Sequence, residues 1–426
     1  MLLIHLSDIH FRSGEVGTVN DPNQMLRAKL IEDVKTVCGR LDDKVEAILV
    51  SGDISYSGKR DEFEFAKGWL QVLAQAGGTS LANVFTCPGN HDADRTIARA
   101  EAIKSYHQAI KAQPAITRNT TIAALLRDSR SSQLLMESIQ QYNSFAQQFF
   151  CALTPPDETI ARRAIVLNDG SILRLWGLNS TLVSGEDDDI GKLAVDPAWN
   201  QIVRKRGEEN LIICHHPPSW LLGGGSDLQS HLNSSARLQL FGHEHDQRLI
   251  REKRYVQIFA GAMVPERDKP EWEPGYNIIQ LGVAGTDMHR TLEIKLHVRV
   301  WQRNPIEFRA KMDEGSDVFE HSIPLEAWTA PIKPEASRVT PAPEAGAATA
   351  PTQASVDPMD SVREIGIRFF KLTLSQRASI AGRLNLLEQE DEYKSDAERY
   401  REVFRRAQIR NQVAELDEAV KSEERK

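Results

Sequence analysis

Residues 2–10, LLIHLSDIH, open the chain with an apolar run of strand length that ends directly in a polar cluster. Two further runs repeat this arrangement: residues 46–50 precede SGDISYSG, and residues 83–86 precede PGNHD. Segments with helical periodicity lie between the runs, at residues 24–38 and 62–76. Alternating strand, loop and helix is typical of an α/β fold, in which ligands bind at the carboxyl ends of the strands.

The rest of the first 330 residues divides into a helical part and a strand-rich part. Residues 96–153 carry long amphipathic stretches, which predict a helical insertion packed beside or over the site. Apolar runs of strand length then return at residues 164–167, 172–178, 210–214, 236–241, 255–259, 276–282 and 291–301. We therefore expect residues 1–330 to form one folded unit.

Composition changes after residue 330. Residues 331–358 contain six Pro and seven Ala but scarcely any large hydrophobic residue, which predicts a linker. Residues 359–426 return to helical periodicity, and their 14 Lys and Arg balance 14 Asp and Glu. We expect a small all-α domain there. A helical unit of this size folds alone only marginally, which favours an adaptor domain docked to a partner or an oligomerisation domain.

The whole chain has 426 residues, a formal net charge of −8 and 41% hydrophobic residues. The acidic balance argues mildly against a protein that coats nucleic acid, because such binding depends on Lys and Arg. No apolar run approaches the roughly 20 residues needed to span a bilayer, so we expect no membrane partner. The amino terminus lacks the features of a targeting signal, which predicts a cytoplasmic protein.

Five polar clusters hold side chains suited to metal binding. In chain order these side chains are Asp8, His10, Asp53, Asn90, His91, His215, His243 and His245. Carboxylate, amide and imidazole donors without cysteine suit Mn, Fe, Mg or Zn. Residues two apart in an extended chain point to the same side, so both members of each DxH or HxH pair can reach one metal. Asp53 is the natural bridge between two metals, since a carboxylate has two oxygens.

The five clusters, in this order, resemble the motifs of the calcineurin-like metallophosphoesterase superfamily: DxH, GD, GNH[DE], H and GHxH. The resemblance extends from Met1 to about Trp301. The HHPP, GHEH and GNHD forms are most similar to the class III cyclic nucleotide phosphodiesterase branch. The resemblance implies a β-sandwich of two mixed sheets flanked by helices, so that residues 1–330 would be a catalytic domain.

The resemblance also implies roles for single residues. One metal would be held by Asp8, His10, Asp53 and His245, and the other by Asp53, Asn90, His215 and His243. We expect two divalent ions, with manganese as the native metal. His91 would be the general acid, and His216 a structural or outer-shell residue. A metal-bridging hydroxide would attack phosphorus in line with the leaving oxygen, and His91 would protonate that oxygen.

The expected reaction is hydrolysis of a phosphodiester bond in a nucleotide or cyclic nucleotide. A metal-dependent nuclease is the alternative, since repair exonucleases share these motifs. A third possibility is an effector of a bacterial signalling or defence system, because residues 359–426 resemble small effector-associated adaptor domains that recruit a partner. A protein phosphatase is disfavoured, because Tyr56 and Ser57 replace the Asp-Arg pair of GDxVDRG. Arg95 could contact substrate instead or simply pair with a surface carboxylate.

Overall fold

The computed structural model describes residues 1–264, 273–313, 315–330 and 358–425. Within these ranges thirteen strands form two mixed sheets. The strands are β1 (Leu2–Leu6), β2 (Val45–Val50), β3 (Val84–Thr86), β4 (Ala161–Val166), β5 (Ile172–Gly177), β6 (Glu208–Cys214), β7 (Leu238–Phe241), β8 (Arg248–Arg251), β9 (Val256–Phe259), β10 (Gly275–Ala284), β11 (Thr291–Arg303), β12 (Ile306–Ala310) and β13 (Phe319–Pro324).

Helices pack around the sheets; α1 to α8 lie between strands in the chain, and α9 to α12 come after the last strand. They are α1 (Gln24–Leu41), α2 (Arg60–Ala76), α3 (Arg95–Ala98), α4 (Glu101–Lys111), α5 (Ala115–Arg127), α6 (Ser129–Met136), α7 (Gln140–Ala146), α8 (Ser226–Ser235), α9 (Pro358–Lys371), α10 (Leu374–Arg383), α11 (Asp396–Ile409) and α12 (Val413–Glu424). None of the helices in the described ranges is long and apolar enough to cross a membrane.

The first sheet has the strand order β12-β11-β10-β1-β2-β3, with β13 also paired to β11. Strands β1, β2 and β3 run parallel, and β10 pairs antiparallel to β1. Leu6 lies opposite Val50, and Val50 lies opposite Thr86, so the three parallel strands end at one edge. Short apolar runs buried on both faces are typical of such strands.

The second sheet has the order β4-β5-β6-β7-β9-β8. Strands β5, β6, β7 and β9 run parallel, and Cys214 at the end of β6 pairs with Phe241 at the end of β7. Because side chains alternate along a strand, β6 serves two cores. Leu211 and Ile213 enter the core shared with the first sheet, whereas Ile212 enters a smaller core beneath α8. The predicted sandwich of two mixed sheets is confirmed.

The predicted helical stretch at residues 96–153 holds α3 to α7, with one short 3₁₀ turn between α6 and α7 and another after α7. Three strands had no counterpart in the sequence-based prediction, namely β8, β12 and β13. Residues 331–357 of the predicted linker lie outside the described residues, so its bounds and those of the predicted domains remain predictions.

Helices α9 to α12, hereafter the C-terminal bundle, have a core of their own and also contact the rest of the protein. Arg401 on α11 donates to the Thr154 hydroxyl at 2.6 Å and to the Ala152 carbonyl at 2.5 Å. The Phe150 ring packs edge-on against Phe404, with 5.3 Å between ring centroids. Gly366 on α9 faces the same ring, because a Cβ there would lie 2.8 Å from it. The bundle is therefore seated on residues 150–154.

Candidate metal centre

Each ligand candidate follows the carboxyl end of a parallel strand. Asp8 and His10 follow β1, Asp53 follows β2 and Asn90 follows β3, while His215 follows β6 and the pair at residues 243 and 245 follows β7. The two sheet edges are joined by hydrogen bonds. The His243 backbone N–H donates to Asp8 Oδ2 at 3.2 Å, and His215 Nδ1 donates to the Ser51 carbonyl at 2.8 Å. All seven candidates therefore meet where the edges face each other.

Asp8, His10 and His245 form one cluster, the Asp8 group, whose ligand atoms lie within 4.8 Å of one another. The Asp8 Oδ1 atom lies 3.1 Å from His245 Nε2 and 3.9 Å from His10 Nε2. Ligand bonds to a transition metal are about 2.1 Å long, so neighbouring donors of one ion lie about 3 Å apart. The spacing of the Asp8 group fits a single divalent ion.

Asn90, His215 and His243 form the second cluster, the Asn90 group. The His215 Nε2 atom lies 3.1 Å from Asn90 Oδ1 and 3.3 Å from Asp53 Oδ2. The same Asp53 oxygen lies 3.9 Å from His10 Nε2 in the Asp8 group. Because the Ser51 carbonyl can only accept, His215 Nδ1 carries a proton and Nε2 offers the lone pair a metal needs. The Asp53 carboxylate lies between the two clusters.

The backbone of the ligand loops is left-handed at five of the seven candidates. The φ angles are 53° at Asp8, 51° at His10, 53° at Asp53, 68° at His243 and 58° at His245. The expectation that the paired residues lie in extended chain was wrong, although both members of each pair do reach the centre. Such conformations cost of order 1 kcal/mol or more each and concentrate at functional sites.

Burial and charge set the protonation of the centre. Burial would raise the pKa of Asp53, but the nearby imidazoles, His215 foremost, outweigh it and hold that pKa well below its ordinary value. Burial lowers the pKa of His10 and of His243 to about 3, which leaves both rings neutral. Burial also acts on His215, yet the Asp53 carboxylate outweighs it and raises the pKa of His215 to about 9. The Asp53 charge that favours the His215 cation would also favour a metal ion, whose binding would displace the proton from Nε2.

His91, the predicted general acid, lies at the mouth of this centre. Its backbone N–H donates to Asp53 Oδ1 at 2.8 Å, and its ring stacks on Tyr56 with 5.0 Å between centroids. Its Nδ1 donates to the Tyr56 carbonyl at 2.8 Å. The other ring nitrogen, Nε2, faces Arg95 Nη2 at 3.4 Å and is the one able to exchange a proton with a ligand.

Asp92 fixes the loop that carries Asn90 and His91. Its carboxylate accepts from the backbone N–H groups of Ser55 at 2.8 Å and Gly89 at 2.9 Å. The loops after β2 and β3 are thereby tied together. Burial, with a smaller effect of the Asp53 charge, raises the pKa of Asp92 to about 7.

Several residues beside the centre were not predicted to be metal ligands or to line the site. His216, expected to be structural or outer-shell, has Nε2 3.2 Å from Asn90 Oδ1 and Nδ1 2.8 Å from the Ser180 hydroxyl. It also belongs to a possible metal-holding triad with His215 and His243. The Trp220 ring lies 4.1 Å from the His243 ring, centroid to centroid. The HHPP motif and the turn after it pointed to His216 and Trp220, but no sequence pattern pointed to Ser180.

Substitution of Gly89 by Ala is expected to disrupt the centre, since a Cβ there would overlap the Asp53 carboxylate and backbone nitrogen. We expect the affinity of the protein for Mn²⁺ to fall about 10- to 100-fold, as when other groups that orient ligands are lost. Titration calorimetry with Mn²⁺ measures this. The matched control is Gly39→Ala in α1, where a Cβ meets nothing within 4 Å. Equal metal affinity in both variants would contradict the geometry.

Comparison with known proteins agrees with this architecture. The family model for the calcineurin-like phosphoesterase matches residues 1–247. A second model, the GTPase-associated adaptor domain, matches residues 361–422, so the C-terminal bundle is similar to that domain.

Individual relatives are distant. The uncharacterized metallophosphoesterase-like protein YydB of Bacillus subtilis strain 168 is 22% identical over 279 residues, covering 62% of this chain and 53% of the relative. The chain thus spans about half the length of that relative. Among solved structures, the phosphoesterase YfcE from E. coli is 11% identical with a TM-score of 0.27, covering 73% of this chain and 98% of its own. GAP50 of Plasmodium is 12% identical with a TM-score of 0.38, and the match covers 76% of this chain and 89% of GAP50. The family model covers residues 1–247, which is more than half of this chain. The chain therefore belongs to the calcineurin-like phosphoesterase family, a family of metal-dependent phosphoester hydrolases.

Proposed function

We propose that this protein is a phosphodiesterase that uses two divalent metal ions. The observation that carries the proposal is the position of Asp53, whose Oδ2 lies 3.9 Å from His10 and 3.3 Å from His215. A carboxylate that lies between two clusters of donor side chains is placed to be shared by a pair of metal ions. Asp8, His10, Asp53 and His245 would hold one ion; Asp53, Asn90, His215 and His243 would hold the other.

The chemistry divides between the metals and the protein. When bound, two divalent ions neutralise the charge of a phosphodiester and lower the pKa of the attacking water. The protein fixes the positions of the donors, because their loops are held by Asp92 and by the two sheet edges. His91 Nε2 points away from its Tyr56 partner and would give a proton to the leaving oxygen. An acid at this position would serve esters with alkoxide leaving groups, diesters among them, because such leaving groups need that proton.

A nucleotide or cyclic nucleotide is the substrate we favour. The GNHD, HHPP and GHEH motifs of the class III phosphodiesterase branch support it. The ring of Trp220, half-buried beside the proposed ligand His243, offers an aromatic surface for a base. Nuclease activity is the competing outcome, and manganese is the metal we propose.

Removal of metal should abolish hydrolysis of bis-p-nitrophenyl phosphate, and Mn²⁺ should restore it. Asp53→Asn keeps the volume of the side chain but removes the charge shared by both ions, so we expect at least a 10³-fold loss of kcat/KM. Lys29→Gln, which alters an exposed pair with Glu32, serves as the control. Activity on p-nitrophenyl phosphate but not on the diester would reject the diesterase proposal. A parallel incubation with cyclic nucleotides, plasmid and single-stranded DNA separates the substrate classes.

His91→Ala should slow hydrolysis of diesters with an alkyl leaving group by about 10²- to 10⁴-fold. The loss of rate with a p-nitrophenyl leaving group should be much smaller, because p-nitrophenolate departs without needing a proton. Rates for both substrates and the metal content of the variant are the measurements. Equal losses for the two leaving groups would show that His91 is not the acid.

We also propose that the C-terminal bundle binds a protein, either a partner or a second copy of this chain. The match of residues 361–422 to an adaptor domain supports this. Two large apolar side chains on the bundle are exposed, Leu374 at 54% and Ile409 at 66%. They are candidates for the contact.

Sedimentation of the full chain over a range of concentrations tests self-association. If two copies pair through the bundle, Ile409→Ser should weaken the dimer about tenfold or more. Met312→Ser, which changes another exposed apolar residue outside the bundle, should not. A monomer at all concentrations would reject self-association and leave only a different partner.

A further inference from the structure

The Arg95 side chain is an uncommitted positive charge at the mouth of the metal centre. It begins α3 and places Nη2 3.4 Å from His91 Nε2. No carboxylate in the described part of the chain lies within ion-pair distance of it. The neighbouring acids are engaged elsewhere, since Asp94 pairs with Lys59 and Glu186 pairs with Arg99. The Arg95 Nε is buried and donates to no group among the described residues.

An arginine in this state favours an anion. A guanidinium carries five N–H donors, has no acceptor and stays charged, so a half-buried one is stabilised by a negative partner. Asp188 lies close enough to feel the charge of Arg95 but forms no ion pair with it; its Oδ1 accepts from the Gly185 N–H at 2.9 Å. Two divalent ions would also exceed the charge of the Asp8 and Asp53 carboxylates. The Arg95 guanidinium beside two such ions would be stabilised by the binding of an anionic ligand.

We propose that Arg95 binds a phosphoryl oxygen of the substrate, on the side of the leaving group. This inference rests on the proposed phosphodiesterase function and adds a substrate-binding residue to it. Since Arg95 Nη2 and His91 Nε2 are 3.4 Å apart, an anionic phosphoryl group that meets His91 also comes within reach of the guanidinium. Planar, bidentate recognition of phosphate is the chemistry for which arginine is suited.

The position of Arg95 also compensates for the arginine of the GDxVDRG motif, which this chain lacks. Tyr56 and Ser57 stand where GDxVDRG sequences have Asp and Arg. Arg95 comes from a different loop, after β3, and would supply the missing positive charge from the other side of His91. The alternative considered from the sequence, an ion pair between Arg95 and a surface carboxylate, is not formed in the described residues.

The first measurement is binding of inorganic phosphate to the Mn²⁺-loaded protein by titration calorimetry. It does not depend on turnover, so a failure of the phosphodiesterase proposal would leave it informative. Arg95→Ala should weaken phosphate binding about 10- to 100-fold, the loss expected for charge-assisted hydrogen bonds. Arg127→Ala, which removes an exposed arginine at the end of α5, is the control and should leave binding unchanged.

The second measurement separates binding from a structural role. With bis-p-nitrophenyl phosphate, Arg95→Ala should lower kcat/KM about 10- to 100-fold, and added guanidinium should restore part of the rate. Hydrolysis of a neutral phosphotriester should be little affected, because it offers no anionic oxygen. Unchanged phosphate binding in Arg95→Ala, or equal losses for diester and triester without rescue, would overturn the proposal.

Discussion

The metal centre depends on one buried negative charge, the Asp53 carboxylate. It is 1% exposed, and it accepts from the His91 backbone while facing His215 and His10. A carboxylate removed from water is costly unless it is compensated by hydrogen bonds and positive charge. The two sheets meet so that both kinds of compensation reach it. Gly89 lets the neighbouring loop approach, since any side chain at that position would occupy the space of the carboxylate.

Much of the fold could be predicted because the strands near the site are apolar and end abruptly. The run at residues 2–6 coincides with β1, and the runs before SGDISYSG and PGNHD match β2 and β3 to within one residue at each end. Strand β8, in contrast, has the sequence RLIR and lies at a sheet edge with two of its four residues exposed. Edge strands of this kind have no long apolar run, and their pairing is set by the neighbouring strand rather than by their own composition.

The donor residues of the site were predictable from motif order, but their geometry was not. The sequence pattern favoured extended chain at the paired ligands, whereas the backbone there is left-handed. That conformation arises from the contacts between loops of two sheets, which no local pattern records. The same holds for Ser180, Trp220 and Arg95, which reach the centre from the turns after β5 and β6 and from α3. Tertiary placement, not residue type, gives these side chains their roles.

The contact between Phe150 and the C-terminal bundle has a consequence for how the protein can be divided. Phe150 has a φ of 57° and rests against Gly366 and Phe404, while Ile367 of α9 is buried in the core of the sandwich itself. The bundle therefore completes the hydrophobic interior of its neighbour. A fragment that stops before α9 would present bare apolar surface to water and be prone to aggregate, whereas two fragments produced by a nick between residues 330 and 358 should remain associated.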